Sequence, residues 1–486
     1  MSTKILPNDS TSSSSVDHVS DPPCAKKSRL LNLRFDRGFA TETTTPQLSI
    51  LRLHKHIVLF DSNSLCTLQT TDDVAGYVEK VPGNGLLRCD RKPLVERRPS
   101  RVQAICLAVT HRCNLNCQYC FESAYPERES DMSLDNARAA LRLFPEDSDM
   151  SISFFGGEPL LQFDLIRQIV GDAERMAADR KVNISFHITT NGTLLTREIS
   201  EFLDAHGFSM IVSLDGEKVI HNSCRGMHAE TMRGLASLSG LGITSRTTLR
   251  STYTPGNVLL AERLRFLNGL ARAGLASNIS VEPVSLPPDH PLAITPQMRS
   301  TLAEEYHEAA KWVIEEVRAG RRPIFFHFDK LASRIASGSP APTECGAGWH
   351  YISVDPAGRL HACHREGAVI GDVHSGINLF KAGAWADNSL RRSCEKCWLR
   401  YVCGGGCRSD SLQNCNLPER RWKNSPRDLP PDKTMCMIKQ TIAREVLWIL
   451  CELTTEEARS WLDEPEYSES LVGWATWSAR FPWRAL

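Results

Sequence analysis

From residue 101 onward, short apolar runs rich in β-forming residues alternate with segments of helical periodicity. The predicted strands lie at 103–110, 150–155, 183–190, 209–214, 243–254 and 278–284. Helical patterns fall between them, for example in SLDNARAALRLF, LLQFDLIRQIVGDAERMA and LLAERLRFLNGLARAG. Repeated strand–helix–strand units favour a parallel sheet, because each helix returns the chain to the same end of the sheet. The sequence therefore predicts an α/β fold of six such units, closed or nearly closed into a partial, TIM-like barrel.

Length and composition limit the classes of protein to consider. A chain of 486 residues suggests two or three domains, and its 41% apolar and 23% charged residues are typical of globular proteins. Lys plus Arg and Asp plus Glu both number 57, which gives no general attraction to nucleic acid or anionic membrane. There is no run of 18 apolar residues and no apolar secretory core at the N-terminus. We therefore expect a cytoplasmic protein that binds neither nucleic acid nor membrane.

Shifts in composition predict five segments. Residues 1–45 are rich in Ser, Thr, Asp and Pro, and we expect them to be disordered. Residues 46–100 predict a small α+β module, with two strands around the DSNS turn and a helix that opens at Thr70 or Thr71. The barrel is expected over 101–335, and a Gly- and Cys-rich, metal-stapled domain over 340–453. Residues 454–486 predict a helical, Trp-rich tail.

The first predicted strand is followed by the loop VTHRCNLNCQYCFES, which holds Cys113, Cys117 and Cys120. With 17 cysteines in 486 residues, this CX3CX2C spacing would arise by chance in roughly 0.02 of such chains. In a reducing compartment, clustered cysteines indicate a metal site rather than disulfides. Three thiolates suit a four-iron cluster in which one iron has no protein ligand. A zinc site with His111 as the fourth ligand is the alternative.

The cysteine loop resembles that of the radical S-adenosylmethionine (SAM) superfamily, whose loop after the first barrel strand holds a catalytic [4Fe-4S] cluster. The resemblance implies that SAM binds the open iron. It also implies that reductive cleavage of SAM gives a 5′-deoxyadenosyl radical, which takes a hydrogen atom from the substrate. An electron donor such as flavodoxin or ferredoxin is then required.

Further motifs match this family at the ends of successive predicted strands: FFGGEPL, TTNGT and VSLDG. By resemblance, the residues expected to contact SAM are Tyr119, Gly156, Gly157, Glu158, Thr190, Asn191, Ser213 and Asp215. The GGE turn is expected to hold the methionine amino group, and Tyr119 is expected to lie by the adenine. Ser213 and Asp215 are expected to face the ribose or carboxylate. Arg225 and Arg250 are candidates to pair with the methionine carboxylate. A structural role is equally consistent with either arginine.

The second cysteine group begins in CGAGWHYISVDPAGRLHAC and continues in CEKCWLRYVCGGGC, with Cys436 beyond it. Seven cysteines in this order resemble the SPASM domain, which binds auxiliary four-iron clusters in peptide-modifying radical SAM enzymes. The resemblance implies one cluster held by Cys394, Cys397, Cys403 and Cys436, and another held by Cys345, Cys363 and Cys407. The CX2C spacing alone also permits two zinc knuckles.

Two points in this ligand set stay open. The segment SGSPAPTE upstream of Cys345 lacks the cysteine that some relatives use as a fourth ligand. Either that cluster has an open iron, or another residue fills the position. Cys415 could end the pattern in place of Cys436, although the position of Cys436 at the start of a predicted helix favours Cys436.

A SPASM domain on this barrel implies that the substrate is a ribosomally made peptide or protein. Anaerobic sulfatase maturases resemble the same regions but carry an aspartate directly after the cysteine at the Cys363 position, where this chain has His364. We therefore favour a maturase that forms thioether or carbon–carbon cross-links, including the quinohemoprotein amine dehydrogenase maturase type. Formylglycine formation is the alternative. A zinc-stabilised scaffold without chemistry is the alternative from another class.

The residues that face the substrate are less well specified. Glu282, in VEPV, and His187, in the third predicted strand of the barrel, are candidate general bases or polar anchors. A buried structural role fits each equally well. The 46–100 module is a candidate to bind a leader peptide, which would add a strand to the edge of its sheet.

Overall fold

The computed structural model describes residues 48–62, 65, 67–70, 102–124, 129–337, 341, 345–348, 350–365, 369–386, 391–413 and 426–462. Several expectations lie outside these residues: the disordered tail at 1–45, the module beyond Thr70, Cys415 and the Trp-rich end of the chain. No described helix is both long enough and apolar enough to cross a membrane.

The N-terminal part is a three-stranded antiparallel sheet in the order β1-β2-β3. Its strands are β1 (Leu48–Leu53), β2 (His56–Asp61) and β3 (Thr67–Thr70). The expectation of two strands was wrong, because the first apolar run reverses direction at His54, whose backbone is left-handed with φ 50°. Thr70 ends a strand rather than opening a helix.

Six parallel strands follow, as the alternating pattern predicted. They are β4 (Ala104–Thr110), β5 (Met150–Gly156), β6 (Ile184–Thr190), β7 (Ser209–Ser213), β8 (Thr247–Tyr253) and β9 (Asn278–Pro283). The helices between them are α1 (Leu134–Leu141), α2 (Phe163–Arg180), α3 (Arg197–Ala205), α4 (Lys218–Cys224), α5 (His228–Ala236) and α6 (Leu260–Arg272). The fifth predicted strand starts later than expected, because Gly242–Arg246 forms a 3-10 turn before β8.

The cysteine-rich segment adds four strands to this same sheet. They are β10 (Tyr351–Val354), β11 (Arg359–His361), β12 (Val369–Asp372) and β13 (Gly376–Ile377). Strand β10 pairs in parallel with β4, and β11 to β13 continue antiparallel, which gives the order β13-β12-β11-β10-β4-β5-β6-β7-β8-β9. The sheet is therefore mixed and parallel-dominated, with β9 and β13 at its two edges.

The remaining helices come from the chain after β9. They are α7 (Arg299–Arg318), α8 (Phe326–Ser337), α9 (Leu379–Ala386), α10 (Arg400–Cys403), α11 (Arg408–Gln413), α12 (Lys433–Glu452) and α13 (Thr455–Leu462). Helix α12 begins where the Asp432 carboxylate accepts a hydrogen bond from the backbone N–H of Met435 at 2.6 Å, an N-cap. It then packs on α7, α8 and β1. One hydrophobic core includes Phe60 of β2 and Val446 of α12, so the N-terminal sheet belongs to the main body.

Candidate functional site

The loop with Cys113, Cys117 and Cys120 begins directly after β4, and these three cysteines line a cavity of about 380 Å³. The cavity also contains residues from the C-terminal ends of β5, β6 and β7. Chemistry in parallel α/β barrels is placed at this edge of the sheet. The loop is held in part by the backbone N–H of Gln118, which donates to the carbonyl oxygen of Cys224 at 3.0 Å.

The glycine pair of the GGE turn lies against the backbone of this loop. A Cβ atom on Gly156 would be 2.0 Å from the carbonyl oxygen of Thr110, and one on Gly157 would be 2.2 Å from that of Arg112. The backbone N–H groups of Gly157 and Glu158 donate to the same two oxygens at 2.9 and 2.8 Å. The glycines also line the cavity, but the requirement for glycine arises from this backbone contact with the cysteine loop.

Glu158 is fully buried and connects the ends of two strands. Its carboxylate accepts hydrogen bonds from the Thr190 hydroxyl at 2.8 Å and from the backbone N–H groups of Asn191 at 2.7 Å and Leu160 at 3.1 Å. Burial raises the pKa of Glu158 to about 7, against the lowering effect of these hydrogen bonds. Thr190 and Asn191 line the cavity and Glu158 lies behind them, so its contacts position the turn.

The next strand end carries a buried ion pair. The Asp215 carboxylate accepts hydrogen bonds from the Tyr119 hydroxyl, from Arg225 Nε at 3.0 Å and from the backbone N–H of Thr252 at 2.9 Å. The Arg225 guanidinium lies 5.2 Å from the centroid of the Tyr119 ring. Tyr119 and Arg225 line the cavity together with Ser213, whereas Asp215 does not. Asp215 therefore holds two cavity side chains in place.

The three loop thiols form a donor set that suits a soft metal centre. Burial raises the pKa of Cys117 to about 11, and Cys120 and Cys113 raise it further against the lowering effect of Arg225. Each thiolate makes ionisation of the neighbouring thiols less favourable, but a bound metal ion favours the thiolate form of all three. His111, the alternative zinc ligand, has its Nδ1 atom 2.9 Å from Glu122 Oε2 in a buried pair. The residues present thus fit a cluster held by three cysteines.

The cysteines of the second group are brought together in two sets. In the first set, burial raises the pKa of Cys363 well above its usual range, and Cys407 and Cys345 raise it further. The pKa of Cys407 is raised to about 12 by burial, with smaller contributions from Asp410 and Cys345. These electrostatic effects require that the three thiols lie near one another.

The second set is Cys394, Cys397, Cys403 and Cys436. Burial raises the pKa of Cys436, at the start of α12, to about 12, and each of the other three thiols raises it further. Cys403, Cys407 and Cys436 also line the cavity that contains the three cysteines of the first loop. One cavity therefore reaches all three groups of cysteines.

A buried arginine lies beside both sets. Arg391 is 4% exposed, and its Nη1 donates to the Ser411 hydroxyl at 2.6 Å. Burial lowers its pKa, while thiols of both sets, Cys394 and Cys407 among them, raise it. Its Nη2 has no hydrogen-bond partner among the described residues. A buried N–H without an acceptor is costly, so this atom fits a site where a cluster sulfur accepts its hydrogen bond.

The cavity wall also contains charged and titratable residues from β8, β9 and α8. Glu282 Oε2 lies 3.0 Å from His327 Nε2, and Glu282 Oε1 lies 3.9 Å from Arg250 Nη2 and accepts from the Ser280 hydroxyl at 2.6 Å. Burial alone would raise the pKa of Glu282, but His327 and Arg250 hold it well below the usual range. These contacts favour the ionised form of Glu282. His187 does not line this cavity, so the structure separates the two candidate bases.

Sequence reasoning did not place His364 or Arg365 in the cavity wall. His364 packs at 4.8 Å between ring centroids against Phe155 and at 5.9 Å against Phe121. Arg365 Nη1 lies 2.9 Å from the buried Asp410 carboxylate. The only sequence signal for Arg365 was its place two residues after Cys363, since Asp410 and the aromatic residues come from distant segments.

Comparison with known proteins identifies the domain that contains the cysteine loop and the ends of the parallel strands. Residues 107–266 match the family model for the radical SAM superfamily, over the cysteine loop and the GGE turn. The chain contains a radical SAM domain. A domain of this family implies a [4Fe-4S] cluster and SAM as cofactors. The three loop cysteines and the strand-end residues described above fit those groups.

Relatives match parts of the chain at low identity. The radical SAM cyclopropyl synthase TigE of Paramaledivibacter caminithermalis is 31% identical over 25% of this chain and 29% of its own length. The PqqA peptide cyclase of Gluconobacter oxydans is 22% identical over 65% of this chain and 87% of its own length. The cysteine-type anaerobic sulfatase-maturating enzyme of Clostridium novyi is 23% identical over 62% and 86%. Three relatives with 31–38% identity are each matched over 29–38% of their own length.

A solved structure shows the same fold. The protein described as native anSMEcpe with bound AdoMet and Cp18Cys peptide superimposes with a TM-score of 0.58 at 17% identity. The match covers 72% of this chain and 98% of that chain. At this identity the likeness shows the fold alone.

Proposed function

We propose that this chain is a radical SAM maturase that modifies a ribosomally made peptide or protein by forming thioether or carbon–carbon cross-links. The observation that carries the proposal is the single cavity that reaches the three cysteines of the catalytic loop and both sets of the second cysteine group. Relatives named as a peptide cyclase and a sulfatase-maturating enzyme support a peptide substrate. A substrate segment that enters this cavity would lie between the two kinds of site.

Each group of residues has a defined task in this proposal. Cys113, Cys117 and Cys120 hold the catalytic cluster, and the glycine turn, with Thr190 and Asn191, bounds the site for SAM. When bound, the cluster and SAM supply the radical that removes hydrogen from an unactivated carbon. The protein's own residues exclude water, fix Tyr119 and Arg225 through Asp215, and present charged side chains to the peptide.

We assign Cys394, Cys397, Cys403 and Cys436 to one auxiliary [4Fe-4S] cluster, and Cys345, Cys363 and Cys407 to the other. The electrostatic coupling within each set supports this division. The orphaned Nη2 of Arg391 supports sulfur acceptors at its position. With the catalytic cluster, the full complement is about twelve irons per chain, since each of three clusters contains four.

Formylglycine formation is the second candidate, supported by the sulfatase-maturating relative. The residue after Cys363 argues against it. His364 is packed against Phe155, and its pKa is held well below the usual range by burial, with Arg365 and Arg250 contributing. An ionised carboxylate at this position would differ in charge and shape. Mass spectrometry of a co-expressed candidate peptide separates cross-linking from formylglycine formation at Cys. A cross-link removes two hydrogens, whereas formylglycine formation at Cys removes two hydrogens and replaces the sulfur by oxygen.

The decisive experiment measures iron, sulfide and SAM cleavage in anaerobically reconstituted protein. We expect about twelve irons per chain and the formation of 5′-deoxyadenosine after addition of dithionite. A variant with Ala at Cys113, Cys117 and Cys120 should lose about four irons and all SAM cleavage. The matched control is Cys451→Ala, a core cysteine in α12 that does not line the cavity. Zinc in place of iron, with no deoxyadenosine, would identify a metal-stabilised scaffold instead.

The N-terminal sheet is our candidate site for a leader peptide, because β1 and β3 are its two edge strands. Removing residues 1–100 would be a poor test, since Phe60 packs on Trp398 with ring centroids 5.6 Å apart. Hydrogen exchange on the intact chain is a better one. Strand addition should protect backbone amides in 48–53 or 67–70 when the precursor peptide is added. Protection confined to other segments would reject this site.

A further inference from the structure

Three metal-ligating side chains from three elements meet on the side of the molecule formed by β1, α7 and α12. His54 lies in the turn between β1 and β2, His307 lies in α7, and Glu445 lies in α12. His307 Nδ1 is 2.9 Å from Glu445 Oε2, and His54 Nε2 is 4.0 Å from Glu445 Oε1. The three ligand atoms all lie within 4.8 Å of one another. None of these residues lines the cavity described above.

The backbone at His54 is unusual for a residue with a side chain. Its φ of 50° is left-handed, and two-residue hairpin turns normally place Gly, Asn or Asp at such positions. The His54 ring stacks on the His307 ring with centroids 4.2 Å apart and lies 4.9 Å from the Trp448 ring. Tertiary contacts therefore hold an imidazole beside Glu445 at a position where local preference favours glycine.

We propose that His54, His307 and Glu445 form a binding site for Zn²⁺ that fastens the N-terminal hairpin to α12. Two imidazoles and one carboxylate are an N,N,O ligand set that Zn²⁺ accepts, and a water molecule can complete the tetrahedron. Ligand atoms about 2.0 to 2.1 Å from a tetrahedral zinc are about 3.3 Å apart. The distances of 2.9 Å from His307 to Oε2 and 4.0 Å from His54 to Oε1 involve different oxygens of Glu445 and lie on either side of that value.

One side chain of the three is free to adjust around a metal ion. The lone pairs of stacked rings do not converge on one point, so binding requires the His54 ring to turn out of its stack. The His54 side chain is 46% exposed and has room to do this. Glu445, the shared ligand, is 8% exposed and stays fixed in α12. The site thus has one fixed carboxylate and one mobile imidazole.

A metal ion at this site would bind α12 through Glu445. Glu445 is in the same helix as Cys436, about 14 Å further along its axis at 1.5 Å per residue. A bound ion would join the hairpin to the helix that begins at an auxiliary-cluster cysteine. The neighbouring Lys55 and His56 already pair with Glu452, at 2.9 Å in each case. Those pairs provide docking that does not depend on metal, and they supply a control.

The test uses full-length protein whose iron–sulfur sites are already reconstituted, so that cysteines do not take up the added metal. The protein is incubated with equimolar Zn²⁺ and desalted. Zinc per chain is then counted, and its ligands are identified by X-ray absorption at the zinc edge. We expect about one zinc per chain with nitrogen and oxygen neighbours near 2.0 Å, rather than sulfur near 2.3 Å. His54→Ala and Glu445→Gln should each lower zinc content at least tenfold, whereas His56→Ala should retain it.

Hydrogen exchange gives a second measurement on the unmodified chain. Zinc should slow exchange in residues 48–61 at least tenfold and leave β5 and β6 unchanged. The proposal is overturned if wild-type protein retains no zinc, if the retained zinc has sulfur neighbours, or if both ligand variants keep it. The wild-type results alone can refute the site. The test therefore remains decisive even if a variant fails to fold.

Discussion

Replacing Gly157 by alanine adds one carbon atom to the GGE turn at a position where φ is not strained. We expect this change to disturb the cysteine loop. The new Cβ would lie 2.2 Å from the carbonyl oxygen of Arg112, whereas ordinary contact begins near 3.4 Å. Relief therefore requires the turn and the loop to separate by about 1.2 Å. The Arg112 side chain is also held by Asp131, with Nη2 to Oδ2 at 2.6 Å, so the loop cannot shift without breaking contacts.

The expected cost of this overpacking is about 1 to 3 kcal/mol in the free energy of unfolding. A displacement of about 1 Å at a reacting group can reduce the rate by about a hundredfold. Reconstituted Gly157→Ala should therefore melt several degrees lower, bind SAM more weakly and form deoxyadenosine far more slowly. The matched control is Gly269→Ala in α6, where a Cβ meets nothing within 4 Å. That variant should equal the wild type or gain up to about 1 kcal/mol.

Calorimetry, equilibrium dialysis with SAM and a timed deoxyadenosine assay measure these three quantities. If Gly157→Ala matched the wild type in all three, the backbone contact would not constrain the loop, and our account of the glycine pair would be incorrect. Loss of stability with unchanged SAM affinity would show that the turn supports folding but does not place the cofactor.

Three further predictions concern other sites. Asp215→Ala should lower the free energy of unfolding by about 3 to 5 kcal/mol in a denaturation assay, because it leaves the buried Arg225 unpaired. The control is the exposed Arg197, whose change to Ala should alter the free energy of unfolding by less than about 0.5 kcal/mol in the same assay. Burial raises the pKa of Asp329 to about 7, so its favourable contribution is complete below pH 4 and is lost as the pH rises through 7. Asp329→Asn should flatten the melting temperature between pH 4 and 8, and an unchanged slope would contradict this assignment. Cys407→Ala should remove about four irons and end peptide modification while uncoupled SAM cleavage continues, as iron analysis and product assays would show; retention of all the iron would exclude Cys407 as a ligand.

The barrel part of the fold was predictable because its signals are local. Six buried runs separated by helical periods specify parallel strands, and the observed strands β4 to β9 fall within one to four residues of the expected bounds. The order of the motifs along the chain also predicted that the cysteine loop, the GGE turn and the TTNGT turn would meet. Parallel strands place such turns at one edge of the sheet whatever the details of packing.

The errors and omissions came from interactions that are distant in sequence. The run from Leu48 to Phe60 reads as one strand, but docking against α7 and α12 favours a reversal at His54. The expectation that Asp215 faces the ribose or carboxylate of SAM stays a prediction. Its pairing with Tyr119 and Arg225 is a contact that the VSLDG motif did not indicate. No periodicity marks such a pair. The wall formed by His364, Arg365 and Asp410 likewise depends on tertiary packing.

The pairing of β10 with β4 limits how this protein can be rebuilt. Residues Tyr351 to Val354 complete the hydrogen bonds of Ala104 to Leu107, immediately before the catalytic loop. A chimaera that imports a foreign cysteine-rich segment must supply an equivalent strand in the same alignment. Without it, β4 would become an open edge, prone to pair with another molecule. A graft offset by one residue would move the imported ligands by about 3.3 Å and turn alternate side chains to the opposite face.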